Sequence, residues 1–339
     1  MTTVPPPADF ADNARWLTQA IDPSATIVRL VDMNEERYRA AAFLDDRLFQ
    51  QAPPPTMLCD WNDLARSIET TSRRGPGWIF HIGHVGSTLV ARLLGELAGV
   101  LSIREPRLLR DLVALKPEAI ARTAPVARGF FARPLGARTS VLVKATSFVS
   151  ELAPRLFDEG GRALFLYASP VNYVCSILAG ENSRRELAML ADTRAARMAA
   201  RMTGLDDARR SEAHLAAAAW ACEMTSLEAS AAQIGQQPIL WADFDRMLDD
   251  MAGSLERITS FFGLPGGVQV LTEIASGPLM GRYSKALDYE YSPALRRDLL
   301  DEAGRDYRTQ IDAAMAMLHK AAGTSPLLAS ALVRAGTES

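Results

Sequence analysis

Apolar residues in this chain follow two rhythms. Short continuous runs occur at Trp78–Ile82, Leu101–Arg104, Ser140–Lys144, Ala163–Tyr167 and Pro238–Trp241. Between them, apolar positions recur every three or four residues near 88–98, 106–115, 148–158 and 171–180. A continuous run suits a strand buried on both faces, and the longer rhythm suits a helix with one buried face. Their alternation predicts an α/β fold, with a mostly parallel central sheet flanked by helices. Residues 183–235 break the alternation. They are rich in Ala, Arg, Met and Glu, contain no proline, and predict two or three helices inserted between the fourth and fifth strands. One more amphipathic helix is expected over 244–262, and 293–335 is helical again.

The front of the chain is less regular. Residues 1–9 are proline-rich, 10–22 read as a short amphipathic helix, and Thr26–Val31 alternates like a strand. A helix over 34–51 is ended by the prolines of 52–56, and another over Leu64–Ser72 is closed by Arg73-Arg74-Gly75-Pro76-Gly77. The expected organisation is therefore an N-terminal helix-and-strand extension over 1–76. An α/β domain over 77–335 follows, with its helical insertion near 183–235.

The most informative stretch is 78–94, WIFHIGHVGSTLVARLL. A buried strand hands over to an apolar helix through Gly83-His84-Val85-Gly86-Ser87-Thr88. Glycines let the backbone turn sharply, and the new helix aims its unpaired N–H groups and positive dipole end at the turn. A phosphate is the natural occupant. The plain alternative is an ordinary strand-to-helix turn with a Ser/Thr cap. No lysine precedes Ser87, so the loop lacks the Gly-Lys-Ser/Thr of nucleotide hydrolases.

Composition narrows the function classes. The net charge of −3 over 339 residues gives no basic footprint for nucleic acid or a membrane surface. Cys59, Cys175 and Cys222 form neither a disulfide framework nor a zinc pattern, so no metal is expected. No long apolar span exists, and the N-terminus lacks the basic start and apolar core of a signal peptide. A cytoplasmic enzyme is the expectation. Oligomeric state is left open.

With these residues in view, the chain resembles sulfotransferases that use 3′-phosphoadenosine-5′-phosphosulfate (PAPS), in particular the bacterial and tyrosylprotein-type branch with a glutamate base. His84-Val85-Gly86-Ser87-Thr88-Leu89 falls on that family's phosphosulfate loop. Glu105, in Ser102-Ile103-Arg104-Glu105-Pro106, falls where this branch has its glutamate. Val141-Leu142-Val143-Lys144-Ala145-Thr146 resembles the strand that ends in lysine. Leu164 to Pro170, followed by Ser176, follows the layout of the second nucleotide signature. Trp241-Ala242-Asp243-Phe244 and Phe261-Phe262-Gly263-Leu264-Pro265 resemble two further blocks. The matching blocks run in order from about residue 78 to 285. His84 replaces the loop's Lys or Arg, Ala168 replaces the arginine for the 3′-phosphate, and Thr146 stands where the cytosolic branch has its histidine.

The resemblance implies sulfuryl transfer from PAPS to a hydroxyl or amine by in-line displacement, leaving 3′-phosphoadenosine-5′-phosphate. The partners would be that nucleotide cosubstrate and an acceptor, a small molecule or a peptide. Such transfer needs a base, positive charge on the departing phosphate and alignment. Glu105 is the candidate base; otherwise it is a glutamate favouring a helix start. His84, one of four histidines, would donate to the bridging oxygen or carry charge. His81, inside the strand, reads as a core histidine. Lys144 would supply the phosphate charge that the loop lacks. Gly83, His84, Val85, Gly86, Ser87 and Thr88 would cradle the 5′ end, Ser176 the 3′-phosphate, and Arg282 and Lys285 a basic C-terminal loop. Arg92, Arg184 and Arg185 are further cations, or simply solvated helix residues. Two other readings stay open: a nucleotide-dependent phosphotransferase, with Asp243 as a metal carboxylate, and a catalytically lapsed nucleotide- or phosphate-binding protein.

Overall fold

A computed structural model describes residues 2–50, 52–69 and 73–336. The expected strands are all present as one five-stranded parallel sheet. In chain order they are β4 (Gly77–His81), β5 (Val100–Arg104), β6 (Ser140–Lys144), β7 (Ala163–Tyr167) and β8 (Ile239–Asp243). Their spatial order is β5-β6-β4-β7-β8, every pair parallel. β5 and β7 are buried along their whole length, which is why their sequences read as unbroken apolar runs. The central position of β4 puts the loop after it at the middle of the sheet's C-terminal edge, where α/β proteins bind ligands.

The front of the chain departs from its expected form. Residues 10–22 do not form a helix; Trp16–Ile21 is a strand, β1, preceded by turns. Phe10, Ala14, Leu17 and Ile21 are all buried, so their helical spacing is real. The chain satisfies it with a turn and a strand because β1 pairs antiparallel with β2 (Ile27–Asp32). β2 pairs in turn with β3 (Thr56–Asp60), a strand that the preceding prolines hid. The expected helix over 34–51 is only Glu35–Ala40 and a 3₁₀ turn at Asp46–Phe49. The helix placed over Leu64–Ser72 runs Trp61–Ile68, with Asp60 accepting from the amides of Asn62 and Asp63; residues 70–72 lie outside the described residues.

This small sheet is fastened to the α/β body by buried arginines. Arg133 donates to the carbonyls of Phe10 and Trp16 at 2.9 and 2.8 Å. Arg92 reaches those of Arg39 and Ala40, and Arg104 that of Ala41. One apolar core runs from Phe10 to Ala335.

The helical stretch after β7 holds three helices, Glu181–Met189, Ala191–Ala199 and Glu212–Ile234. The expected single helix over 244–262 is two, Phe244–Asp249 and Met251–Phe262. They break at Asp250, which caps the second by accepting from Gly253 N–H. The helix Pro117–Phe131 was not expected, since its prolines masked its rhythm. Among the described residues, no helix is long and apolar enough to cross a membrane.

Candidate functional site

At the C-terminal edge of the parallel sheet lies a cleft of about 890 Å³. Its floor is the loop between β4 and the helix Ser87–Gly95. Gly83, His84 and Gly86 all have positive φ, at 83°, 53° and 58°. The amides of His84, Val85, Gly86, Ser87 and Thr88 have no acceptor among the described residues. Such a run of free N–H groups at a helix start is an anion-binding concavity. The hydroxyls of Ser87 and Thr88 add two donors at the same place and line the cleft.

Two packing features hold this backbone. His81 is buried beneath the loop. Its Nδ1 accepts from Gly83 N–H and its Nε2 bonds the Ala145 carbonyl, both at 2.9 Å. Burial, and next the charge of Lys144, push its imidazole well below the ordinary value, so it stays neutral with the proton on Nε2. It is a core residue, as its position in the strand suggested, and it positions the loop. On the other side the tip of the Phe244 ring packs against Gly86. A Cβ there would stand 1.9 Å from Phe244 Cζ, so the position admits only glycine.

His84 turns its ring toward the cleft, edge-on to Tyr173 with centroids 6.1 Å apart. Burial, then Lys285, Arg194 and Arg296, push it down to about 3. It therefore meets a ligand as a neutral donor or acceptor, not as a cation.

Glu105 and Lys144 meet at adjoining strand ends. The register pairs Arg104 with Lys144, which places Glu105 one residue beyond. Glu105 N–H donates to the Lys144 carbonyl at 2.7 Å. The Lys144 ammonium donates to Glu105 Oε1, and Thr146 Oγ1 donates to Oε2 at 3.3 Å. Lys144 is completely buried, which pulls it below its ordinary value against the opposing pull of Glu105. Its ammonium is thus engaged by the carboxylate and does not stand free over the loop. Glu105 has φ of 48° immediately before Pro106. His84 and Glu105 are two of the three non-glycine residues with positive φ among those described. Backbone strain of this kind persists where surrounding structure over-determines it, commonly at functional sites.

The free cations come from the far end of the chain. Arg282 and Lys285 line the cleft on the segment following the 3₁₀ turn Pro278–Gly281, and neither has a carboxylate partner among the described residues. Arg92 does not reach the ligand space. It is buried on the helix Ser87–Gly95 and donates to Ser284 O at 2.9 Å, tying this basic segment across the loop's own helix. Ser176 lines the cleft but donates back to Tyr173 O at 3.1 Å. Arg184 pairs with Glu212 and Arg185 with Glu181. Asp243 accepts from the amides of Asp245 and Arg246 as a helix cap and does not line this cleft.

Sequence reasoning missed the cleft's other wall. Phe43, Asp45 and Arg47, from the N-terminal region, face the Glu105 side together with Arg110 and Phe148. Arg47 stacks over Phe43 and both arginines share the buried Asp45. No local pattern marks these residues, because buried contacts far along the chain deliver them. Phe244 ends the stretch Trp241-Ala242-Asp243-Phe244, but only its contact with Gly86 shows its part.

No protein-family model matches the sequence, and no curated protein matches it. Among solved structures the chain is similar to the sulfotransferase domain from the curacin biosynthetic pathway. That match has 14% identity and a TM-score of 0.43, and covers 68% of this chain and 91% of that one. It is also similar to the sulfotransferase domain from the Synechococcus PCC 7002 olefin synthase. There the identity is 18% and the TM-score 0.39, with 69% of this chain and 90% of that one covered. The chain itself is an α/β protein whose parallel sheet carries a strained, glycine-shaped loop beside a buried Lys–Glu pair.

Proposed function

We propose that this protein transfers a sulfuryl group from PAPS to a hydroxyl or amine acceptor. One observation carries the reading: a run of free amides at a helix start stands in the same cleft as a strained glutamate ion-paired to a buried lysine. The 5′ end of such a cosubstrate fits the residues present. The amides of His84 to Thr88 would hold its phosphate oxygens, and Lys285 would add charge from the cleft mouth. The acceptor oxygen or nitrogen attacks sulfur in line, the bond from sulfur to the bridging phosphate oxygen breaks, and the acceptor's proton passes to Glu105. His84, neutral, would donate to the departing oxygen. Lys144 orients Glu105 and offsets its charge at the closed end of the cleft.

A phosphoryl-transfer reading shares the loop but lacks its usual metal carboxylate, since Asp243 is occupied in capping. Thermal stabilisation by 3′-phosphoadenosine-5′-phosphate, ATP and GTP, with and without Mg²⁺, separates the readings. Stabilisation by the first compound alone is expected. A shift only with ATP or GTP and Mg²⁺ would replace sulfuryl by phosphoryl transfer. Glu105→Gln should then lower turnover by about 100-fold or more while sparing nucleotide binding. A wild-type protein that binds the nucleotide but transfers to no acceptor would be the lapsed binding protein.

A further inference from the structure

We infer that Arg110, with Arg47 beside it, forms a carboxylate subsite for the acceptor, so that the acceptor is a hydroxy acid; the inference rests on the function proposed above. An acceptor must bring its hydroxyl to Glu105, so the wall on that side of the cleft meets the rest of the molecule. That wall is Phe43, Asp45, Arg47, Arg110 and Phe148. A second cavity of about 450 Å³ adjoins the cleft there and shares Asp45, Arg47, Arg110 and Phe148 with it. An acceptor longer than its reacting end therefore has room beyond these residues, with two arginines beside its path.

Charge on this wall is not balanced. Four arginines, Arg29, Arg47, Arg107 and Arg110, meet three aspartates, Asp45, Asp46 and Asp111. Asp46 takes Arg29 and Arg107, and Asp111 takes Arg107 again. Asp45 is left for both Arg47 and Arg110. It is buried, and Arg47 engages both its oxygens. Arg47 Nε and backbone N–H donate to Oδ1 at 2.8 and 3.0 Å, and Nη2 donates to Oδ2 at 2.6 Å. Arg110 adds one contact, from Nη1 to Oδ2 at 3.2 Å. Its Nε and Nη2, which form the other edge of the guanidinium, have no partner among the described residues, and its side chain is 44% exposed. Lys144 and Glu105 neutralise each other and do not absorb the surplus.

One surplus cation calls for one negative charge. A carboxylate supplies it, and its two oxygens match the unpaired edge of the Arg110 fork. A phosphate monoester would bring about two charges and overfill the site. An ammonium on the acceptor would meet the surplus with like charge. Packing holds both arginines in place. The guanidinium of Arg47 lies 3.4 Å from the centre of the Phe43 ring, and that of Arg110 lies 5.9 Å from the centre of the Phe148 ring. The same two rings give the wall apolar surface, which suits a carbon skeleton joining hydroxyl to carboxylate. Neither arginine belongs to the phosphate loop, to the helix after β7 or to the basic segment near Lys285, so the subsite reads the acceptor and not the nucleotide.

Calorimetric titration of the whole chain, with and without 3′-phosphoadenosine-5′-phosphate, tests this. The probes are para-hydroxybenzoate, para-hydroxyphenylacetate, para-hydroxyphenylpropanoate and the methyl ester of each. At least one acid should bind about tenfold or more tightly than its ester, and should be sulfated from PAPS with a correspondingly lower KM. Arg110→Gln should erase that preference by weakening the acid alone, with ester and nucleotide binding unchanged, and Arg110→Lys should keep part of it. Acids that bind no better than their esters, or a preference that survives in Arg110→Gln, overturn the subsite and leave the proposed sulfuryl transfer standing. Equal loss of acid and ester in Arg110→Gln, with a lowered melting temperature, makes Arg110 a structural residue only and also overturns the subsite. An acid preference that depends on Arg110 in a chain that binds no nucleotide upholds the carboxylate site and overturns the sulfuryl transfer alone.

Discussion

At the scale of single residues, the two histidines of 78–94 divide their work. His81 is held neutral beneath the loop, bonded on both ring nitrogens, whereas His84 meets the cleft. A histidine whose folded value is depressed binds its proton more readily when unfolded. Stability is therefore present above the unfolded value of 6.5 and declines as pH falls below it. As pH falls from 7.5 to 5, His81 should lower stability, with His84 adding less because part of it is open. Denaturant melts across this range should show the decline, and His81→Gln should flatten it; an unchanged slope would mean that His81 titrates normally. His81, His84, Glu105 and Lys144 stood out in the sequence by residue type and by place at strand ends. Their pairing did not: nothing in the sequence says that Lys144 is engaged by Glu105, because that depends on the register of β5 against β6.

At the scale of elements, the strand–loop–helix unit was legible because each part is local. β4 is an apolar run, the glycines sit where φ is positive, and the helix starts at Ser87. The glycine requirement at 86 has a tertiary cause as well. Gly86→Ala must adopt φ near 58° and displace the Phe244 ring. It should destabilise the protein by about 3 kcal/mol or more and abolish nucleotide binding. The double variant Gly86→Ala/Phe244→Ala should melt at a higher temperature than additivity of the single variants predicts. Strict additivity in melts of all three would show that the two residues do not collide. Elements at the front of the chain were misread for a related reason. The burial of Phe10, Ala14, Leu17 and Ile21 fits a helical rhythm over a short window, and only pairing with β2 makes a strand of Trp16–Ile21.

At the scale of the whole molecule, the N-terminal sheet shapes the cleft from outside. Arg133, almost wholly buried, carries the attachment by donating to four carbonyls, those of Phe130, Phe10, Asn13 and Trp16. Its guanidinium also stacks on the Phe10 ring at 3.9 Å. Arg133→Met should cost about 3 kcal/mol or more. Amide exchange in β1 should accelerate far more than in β4; uniform acceleration would mean that the sheet and the body open as one unit. The sequence by itself determined the five parallel strands, the loop between β4 and its helix, and the residue types at the strand ends. These rest on hydrophobic rhythm and on glycine's backbone freedom, both local. Only the tertiary structure decided the order β5-β6-β4-β7-β8, the ion pairing of Lys144 with Glu105, and the arrival of Phe43, Arg47, Lys285 and Arg296 around one cleft. Those depend on strand register, buried arginine clamps and ring packing between residues up to two hundred positions apart, which no local pattern encodes.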